Sequence, residues 1–348
     1  MKVDFFLIRA RLRAPFVFGS GSITARELLL LRLEDPGGQI GYGEAAPLPG
    51  YDGVRLEDVR AALEDCAALL SDGDVADRAQ LLAACAARAV LPQAVAAIDL
   101  ALWDLAGRRA GLPVWRLLEA DRTTAADVEV NATIAAPDRA GAARAAAIAR
   151  AAGYATLKVK VGIGDDAGRL AAVRAAAGPA MAIRVDANGA WSAAEAIAAL
   201  SVLAPVGLEC CEEPAAGLDA IAAVAGRTSV AIAADESTAA PGALETRVCD
   251  SVCLKIARSG GITATIEAAR RARDAGYLVY LASTLDGPLG IAAALHAAVA
   301  VAPDRPCGLA TLDAFDGAAN PLPARGGRIS VPGAPGLGDG LLEWYGVC

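Results

Sequence analysis

Positive charge is scarce in this sequence of 348 residues. Lysine and arginine together number 32 against 40 aspartate and glutamate residues, so the formal net charge is −8. A net negative field repels nucleic-acid phosphates and anionic lipids. The sequence also lacks an apolar run of about 18 residues, which a membrane-spanning helix needs. We therefore expect neither a nucleic acid nor a membrane as a partner.

Markers of secretion and of disulfide or zinc chemistry are missing as well. The N-terminal apolar stretch is short and carries Asp4 and Arg9, which argues against a signal peptide. The eight cysteines form no C-x-x-C pair, and several lie in apolar runs, which is typical of buried reduced thiols. We predict a cytoplasmic protein. The sole histidine, His296, falls inside a predicted helix, so a catalytic histidine is not expected.

The composition favours a large folded core. Hydrophobic residues make up 55% of the chain and charged residues 21%, the balance of a globular protein. At roughly 150 residues per domain, the length allows about two domains. Strand patterns at 3–13, 27–34 and 39–44 precede a helical periodicity over 55–118. Residues 1–118 are therefore predicted to form an α+β domain.

After residue 125, short β-branched segments alternate with helix-length stretches, the pattern of βαβ units. Eight strands are predicted, at 128–134, 156–161, 182–186, 207–212, 230–235, 251–256, 277–282 and 307–311. Eight parallel strands that close on themselves form a (β/α)8 barrel of the TIM type, which we assign to residues 119–315. The tail, 316–348, is expected to return to the N-terminal domain.

Charged residues interrupt strands that should be apolar on both faces. Five successive strands each carry one near the C-terminal end, about one βα unit apart, at Lys160, Asp186, Glu212, Asp235 and Lys255. Lys158 lies two residues before Lys160 and so points to the same side of its strand. In a barrel these strand ends converge on the face that holds active sites. A solvated loop residue explains any one of them, but explains five in succession poorly.

The residue types indicate a reaction. Three carboxylates without histidine or cysteine suit a hard cation, Mg²⁺ or alternatively Mn²⁺. Buried lysines beside a metal can act as bases because their pKa can be lowered. Lys160 would remove the α-proton of a small-molecule carboxylate substrate, and the metal would stabilise the enediolate. Lys255 would stabilise or protonate that intermediate from the other side of the barrel.

These motifs resemble those of the enolase superfamily, in its muconate lactonizing enzyme subgroup. The similar segments are the K-x-K of Lys158 and Lys160, the D-x-N of Asp186 and Asn188, the E-x-P from Glu212, the D-E-S from Asp235 and the K-x-x-x-x-G-G from Lys255. The resemblance implies that the N-terminal domain, completed by the tail, caps the barrel, and that its loops near 16–26 and 47–51 contact the substrate. It implies Mg²⁺ ligands at Asp186, Glu212 and Asp235, a base at Lys160, its partner at Lys255 and a tuning role for Lys158. Strand alternation directs the adjacent Glu213 and Glu236 away from the metal.

Within the subgroup, the segments 282–290 and 308–312 and the pair Arg26-Glu27 are similar to o-succinylbenzoate synthases. That similarity implies a lyase that removes water from its substrate in menaquinone biosynthesis. Substrate contacts are expected at Arg26, Asn188, Ser283, Thr284 and Asp286.

Other members of the subgroup remain as alternatives. N-succinylamino acid racemases and dipeptide epimerases come first, followed by muconate cycloisomerases. Dipeptide epimerases carry an Asp-x-Asp at the eighth strand, where residues 308–313 offer a single acid, Asp313. An enzyme is favoured over a binding or scaffold protein because no predicted ligand or base is missing. The sequence leaves the oligomeric state open.

Overall fold

The computed structural model describes residues 1–18, 21–118, 127–317 and 319–346. The predicted domain boundary at residue 119 and the eighth cysteine, Cys348, lie outside these residues. The seven other cysteines are free and buried. No helix within the described ranges is both long and apolar enough to cross a membrane.

The N-terminal part combines a small antiparallel sheet with a layer of helices. The sheet has the order β1-β2-β3, with β1 (Lys2–Phe18), β2 (Gly21–Glu34) and β3 (Ile40–Ala45). The helices that follow are α1 (Pro49–Asp52), α2 (Leu56–Asp72), α3 (Arg78–Ala89), α4 (Pro92–Ala110) and α5 (Val114–Leu118). Strand β1 runs five residues beyond the predicted end, because its pairing with β2 continues after a register shift between Arg11 and Phe16.

The second half of β2 is buried on both faces, which explains the uninterrupted run of leucines at 28–31. Leu28 and Leu30 pack into the core that the sheet shares with the C-terminal part of the chain. Leu29, Leu31 and Leu33 face the opposite way, as strand alternation requires, and pack against helices α2 to α4. The small sheet therefore lies between its own helices and the rest of the molecule.

A parallel sheet of seven strands forms the centre of the second part, in the order β11-β10-β9-β8-β7-β6-β5. Its strands are β5 (Ala132–Ile134), β6 (Thr156–Lys160), β7 (Ala182–Asp186), β8 (Leu208–Glu212), β9 (Ile232–Ala234), β10 (Ser251–Lys255) and β11 (Leu278–Ala282). The accompanying helices are α6 (Arg139–Ala151), α7 (Asp166–Ala177), α8 (Ala193–Leu203), α9 (Leu218–Ala225), α10 (Ile256–Ser259), α11 (Ile262–Asp274) and α12 (Pro288–Val301).

The first and last predicted strands of the barrel differ from the expectation. The segment predicted as one strand, 128–134, contains β4 (Val128–Glu129), which pairs antiparallel with β12 (Arg328–Ile329) of the tail, and then β5. The segment 307–311 forms no regular strand. Cys307 and Gly308 instead make single parallel bridges to Val130 and Ala282. The complete barrel of eight regular strands is therefore not what the structure shows.

Residues 307–308 occupy the position expected for the eighth strand. The backbone of residues 307–308 forms hydrogen bonds both to Glu129 and Asn131 and to Leu281 and Ser283, so these two residues link the edges of the sheet. Beyond them, a turn and the 3₁₀ helix Leu312–Ala314 lead the chain away from the sheet.

The tail packs against the N-terminal part. The N–H of Leu337 donates to Asp104 Oδ1 (2.8 Å), and the Tyr345 hydroxyl donates to the Glu44 carboxylate. His296, inside α12, is fully buried. Its Nδ1 accepts the backbone N–H of Trp115 (3.2 Å), and its Nε2 faces Leu337 O (3.1 Å). The histidine therefore stabilises the contact between α12, α5 and the tail.

Candidate active site

The charged residues predicted at the strand ends meet at one edge of the parallel sheet. Lys160, Asp186, Glu212 and Lys255 are the last residues of β6, β7, β8 and β10, and Asp235 directly follows β9. The register pairs Lys160 with Asp186 and Asp186 with Glu212 across neighbouring strands. All five side chains are buried, so each charge depends on the others for compensation.

Lys160 is held by two partners, one at the end of β7 and one in the turn that follows it. Its Nζ donates to Asp186 Oδ2 (2.6 Å) and to Asn188 Oδ1 (2.7 Å), and it lies 5.8 Å from the centre of the Phe16 ring. Asn188 adopts a left-handed backbone (φ 47°), a conformation that asparagine tolerates better than most residues. Its own N–H donates to Asp186 Oδ1 (2.9 Å). This turn therefore presents both acceptors to Lys160 together.

Lys158 bridges two of the predicted metal ligands. Its Nζ lies 2.9 Å from Asp186 Oδ2 and contacts Glu212 Oε1. Burial acts to raise the pKa of Asp186, but the charges of Lys158 and Lys160 outweigh it and hold this pKa below its ordinary value. Burial dominates at Glu212 and raises its pKa despite Lys158. Two ammonium groups therefore share a single oxygen of Asp186.

Lys255 is held from two directions. It contacts Asp235 Oδ2 at the edge of the parallel sheet and the Tyr51 hydroxyl, which comes from the N-terminal part. Burial acts to lower the pKa of Lys255, but the nearby negative charges, Asp235 first, raise it above the ordinary lysine value. The pKa of Lys158 is raised for the same reason, chiefly by Asp186 and Glu212.

The lowered lysine pKa expected from the sequence is therefore not found at Lys158 or Lys255. The expectation considered burial and a neighbouring metal, whereas three buried carboxylates act in the opposite direction. A divalent cation on the same carboxylates would compete with the ammonium groups for negative charge and would lower the pKa of both lysines.

The donor set fits a hard divalent cation. Asp186, Glu212 and Asp235 are buried carboxylates on consecutive strands, and oxygen donors of this kind suit Mg²⁺. Within the described part of the chain, carboxylate oxygens of Glu212 and Asp235 lie within 4.8 Å of each other and of Cys253 Sγ. Burial raises the pKa of the Cys253 thiol well above its ordinary value, so this thiol is a poor ligand. Asp186 lies outside that group, on the far side of the Lys158 ammonium.

Of the two glutamates that follow the ligands, one behaves as predicted from strand alternation and the other does not. Glu213 accepts the backbone N–H groups of Asp235 (2.7 Å) and Ser237 (3.0 Å), so it supports the backbone. Glu236 instead faces the site, where its Oε1 accepts the Asn188 Nδ2–H (3.0 Å). Glu236 begins the 3₁₀ helix Glu236–Ala239, where the two-residue alternation of a strand no longer applies. Burial, and then the charge of Asp235, raises the pKa of Glu236 to about 8.

A cavity lies over these residues, and Lys158, Lys160 and Lys255 all line it. Its other walls come from both parts of the chain, namely Phe16, Leu48 and Tyr51 from the N-terminal part and Ser283, Thr284 and Leu285 from the segment after β11. Asn188 also lines it. Three of the five predicted substrate contacts, Asn188, Ser283 and Thr284, are therefore in place to meet a ligand.

Arg26 and Asp286 are not among the residues that line this cavity. The Arg26 guanidinium donates to the backbone carbonyls of Pro47 (2.7 Å), Ala46 (2.9 Å) and Leu285 (3.3 Å). Asp286 accepts the Thr284 hydroxyl (2.5 Å) and is buried. Both placements differ from the prediction. Arg26 joins the N-terminal part to the segment after β11, and Asp286 forms its hydrogen bonds within that segment.

Two residues of the site, Arg258 and Cys253, were not singled out from the sequence, and Tyr51 was predicted only as the last residue of the substrate-contacting loop 47–51. Tyr51 and Arg258 contact each other beside Lys255, and Cys253 lies beneath the carboxylates. The rarity of lysine in the sequence indicates that the lysines of the site have a function. The chain contains only four lysines among its 32 basic residues, and three of them line this cavity.

Family models match both parts of the chain. Residues 140–343 match the model described as enolase C-terminal domain-like, and residues 2–119 match the N-terminal domain of mandelate racemase / muconate lactonizing enzyme. The chain belongs to this family. The predicted resemblance to the enolase superfamily is thereby confirmed.

Similar proteins cover nearly the whole length of the chain. A D-Ala-D/L-Ala epimerase of Cytophaga hutchinsonii is 29% identical over 99% of this chain and 96% of its own. An N-succinyl-L-Arg/Lys racemase of Bacillus cereus is 28% identical over 85% of this chain and 83% of its own. A solved dipeptide epimerase from Cytophaga hutchinsonii, complexed with Mg and the dipeptide D-Ala-L-Val, superposes with a TM-score of 0.88 at 27% identity, covering 98% of this chain and 97% of that one.

These similarities overturn the predicted lyase. An o-succinylbenzoate synthase of Thermobifida fusca is 40% identical, but over only 53% of this chain and 60% of its own. The relatives that match along most of the chain include epimerases, an N-succinyl-L-Arg/Lys racemase and a muconate cycloisomerase of Rhodococcus opacus, and all of these are isomerases. The assignment as a lyase was wrong because it depended on short segments around residues 282–290 and 308–312, which carry little information about the reaction.

Proposed function

We propose that this protein is a Mg²⁺-dependent racemase or epimerase that inverts the α-carbon of an N-acylated amino acid carboxylate. The observation that carries the proposal is the placement of two lysines, Lys160 and Lys255, around a single cavity. They end strands β6 and β10, which three other strands separate in the sheet, so they approach a ligand from different sides. Inversion needs a proton acceptor on one face of the α-carbon and a donor on the other.

In the proposed reaction, one lysine removes a proton from the α-carbon and the other returns one. Lys160, as the amine, takes the α-proton from its face, and the electron pair of the broken C–H bond moves into the substrate carboxylate. Lys255, as the ammonium, then delivers its own proton to the opposite face, which leaves the inverted isomer. For that isomer the two lysines exchange roles, because the intermediate is the same in both directions.

Lys158 supports Lys160 rather than replacing it. Both ammonium groups contact Asp186 Oδ2, at 2.9 Å and 2.6 Å. Lys158 therefore acts on Lys160 through this shared carboxylate oxygen, which orients both ammonium groups. We assign Lys158 the tuning role on this ground.

Asp186, Glu212 and Asp235 would hold the cation. Mg²⁺ bound there would supply positive charge that stabilises the negative charge on the substrate carboxylate. Similarity to a dipeptide epimerase solved with Mg supports this assignment.

Two substrate groups are consistent with the proposal, dipeptides and N-succinylamino acids, since relatives that span most of the chain are named for each. In both groups an amide nitrogen is bonded to the α-carbon, and both carry a carboxylate on that carbon. The lysine and carboxylate constellation does not distinguish them.

The test is exchange of the α-proton in D₂O, followed by ¹H NMR, with Mg²⁺ and separate stereoisomers of dipeptides and N-succinylamino acids. We expect deuterium incorporation together with inversion. Variants Lys160→Ala and Lys255→Ala are the matched controls, since each removes one of the two proton-transferring groups. Absence of exchange and inversion across all these substrates in the wild type would refute the proposal.

A further inference from the structure

Tyr51 connects the N-terminal part of the molecule directly to Lys255. It lies in the short helix α1, in the loop that follows β3, yet its hydroxyl reaches the end of β10. There it donates to Asp235 Oδ1 (2.6 Å) and accepts from Lys255 Nζ and from Arg258 Nη1 (3.1 Å). A phenolic hydroxyl has one proton to donate and can accept two hydrogen bonds, so every hydrogen-bonding direction of this group is used.

The aromatic ring adds to the same contact. Lys255 Nζ lies 4.2 Å from the ring centre, and the Arg258 guanidinium carbon lies 5.0 Å from it. Both distances are within the range in which a cation is attracted to an aromatic face. Tyr51 therefore restrains the Lys255 ammonium through its hydroxyl and its ring together.

The loop that carries Tyr51 is itself braced. Arg26 donates to the carbonyls of Ala46 and Pro47 and to Leu285 O in the segment after β11. Gln93 Nε2 donates to Asp52 Oδ2 (2.8 Å), next to Tyr51 in the chain. The position of the phenol thus depends on how the N-terminal part docks against the parallel sheet.

The two lysines differ in this respect. Both hydrogen-bond partners given above for Lys160 lie on its neighbouring strand and the turn after it, since Asp186 ends β7 and Asn188 follows. Lys255 has one partner beside the parallel sheet, Asp235, and one, Tyr51, in the N-terminal part.

We infer that Tyr51 is a positioning residue for Lys255, so that proton transfer on the Lys255 face of the substrate depends on the loop 46–52 while transfer on the Lys160 face does not. This inference rests on the proposed function, in which each lysine serves one face. The capping loop then does more than enclose the ligand, because it sets the geometry of one of the two proton-transferring groups.

The experiment uses Tyr51→Phe, which keeps the ring and removes the hydroxyl, and Tyr42→Phe, the same change at a tyrosine of β3 outside the cavity. Lys160→Ala and Lys255→Ala first establish which stereoisomer each lysine deprotonates. In D₂O, Tyr51→Phe is expected to slow α-proton exchange of the Lys255-dependent stereoisomer about 10- to 100-fold, the effect of losing a hydrogen bond to a charged group. The other stereoisomer should still exchange at the wild-type rate while its inversion slows, since inversion needs both lysines. Tyr42→Phe should change neither.

A second readout needs no turnover. Because the chain has four lysines, protein labelled with ¹³C-lysine gives four Cε–Hε signals, which the alanine variants assign. Tyr51→Phe should shift the Lys255 signal, whose ammonium lies against the Tyr51 ring, and leave that of Lys160 in place. Gln93→Leu, which releases the brace without touching the site, should produce a smaller shift of the same signal.

The outcomes separate this inference from the proposed function. If Tyr51→Phe slowed α-proton exchange equally for both stereoisomers, or left the Lys255 NMR signal unchanged, the inference about Tyr51 would be overturned. A fall in Mg²⁺ affinity by calorimetry with no shift at Lys255 would also overturn it, since Tyr51 would then act through Asp235 alone. If the wild type exchanged no substrate, the proposed function would fail, and the Lys255 signal would still decide whether Tyr51 positions this lysine.

Discussion

Lys160 and Lys255 line one cavity from strands that are separated by three others in the sheet. Each ammonium is tied to a different carboxylate, Asp186 for Lys160 and Asp235 for Lys255. The site therefore contains two similar lysine–carboxylate pairs, which reach the cavity from different strands. The proposed inversion requires such a pair, with one lysine for each face of the α-carbon.

The first prediction concerns the loss of either lysine. Lys160→Ala should reduce α-proton exchange of one stereoisomer by about 10²- to 10⁴-fold, the usual contribution of a general acid or base. Lys255→Ala should do the same for the other stereoisomer, and both variants should lose inversion. NMR in D₂O with each pure stereoisomer is the measurement. If one variant abolished exchange of both stereoisomers and the other retained inversion, a one-base reaction would be indicated.

The second prediction uses arginine at the same positions. Lys160→Arg and Lys255→Arg keep the positive charge but cannot lose a proton near neutral pH. We expect both to be as impaired in exchange as the alanine variants. Lys2→Arg, at an exposed lysine paired with Glu34, is the control and should retain full activity. Substantial activity in either arginine variant would show that the lysine acts as a charge and not as a proton carrier.

The third prediction concerns the cation. Asp186→Asn, Glu212→Gln and Asp235→Asn should each weaken Mg²⁺ binding measured by calorimetry, because each removes an anionic oxygen donor. Removing Mg²⁺ from the wild type with a chelator should lower Tm, since a ligand at 100 times its Kd adds about 2.7 kcal/mol to the free energy of unfolding. Glu129→Gln, at an exposed carboxylate on β4, is the control. Unchanged affinity in all three site variants would place the cation elsewhere.

Sequence reasoning was effective where a feature repeats along the chain. The charges at Lys160, Asp186, Glu212, Asp235 and Lys255 recur with the length of a βα unit, and parallel strands bring such residues to one edge of the sheet. The family relationship followed from the same motifs and is confirmed. The local alternation in the K-x-K segment also placed Lys158 and Lys160 on the same side.

Features that depend on docking between distant segments were not accessible in this way. The role of Tyr51 depends on how α1 lies against β10, 204 residues further along the chain, and no local pattern reports such a contact. Arg26 was predicted as a substrate contact from the similarity of Arg26-Glu27 to o-succinylbenzoate synthases, whereas its guanidinium donates to three backbone carbonyls from two distant segments. Glu236 escaped the alternation rule because its strand had already ended.

The fourth prediction tests the packing of β3 on α4. A Cβ added at Gly43 would lie 1.9 Å from Ala97 O, which is backbone and cannot move aside cheaply. Gly43→Ala should therefore reduce the free energy of unfolding by about 1–3 kcal/mol or more, the cost of overpacking. Gly333→Ala, where the added Cβ meets no atom within 4 Å, is the matched control and should be close to neutral. Urea denaturation measures both, and equal stabilities would show that the sheet and helix can separate without cost.

The fifth prediction concerns stability at acidic pH and His296. Burial lowers the pKa of His296 to about 4, below the ordinary value of about 6.5 that it regains on unfolding. As the pH falls below the unfolded value, the unfolded chain binds a proton that the folded chain does not, so stability is lost progressively down to about pH 4. The full loss from this group corresponds to about 3 kcal/mol. Structurally, a proton on Nδ1 would face the Trp115 N–H, a donor that this nitrogen accepts in the neutral ring.

His296→Gln isolates this contribution, because the chain has no other histidine and glutamine does not titrate. The free energy of unfolding of wild type and variant should be measured between pH 4 and 8. As the pH falls from 6.5 to 4, the free energy of unfolding of the variant should rise relative to that of the wild type. The difference between the two should be constant above pH 7. Parallel curves over the whole range would mean that the imidazole can be protonated in the folded protein without disturbing the contact among α5, α12 and the tail.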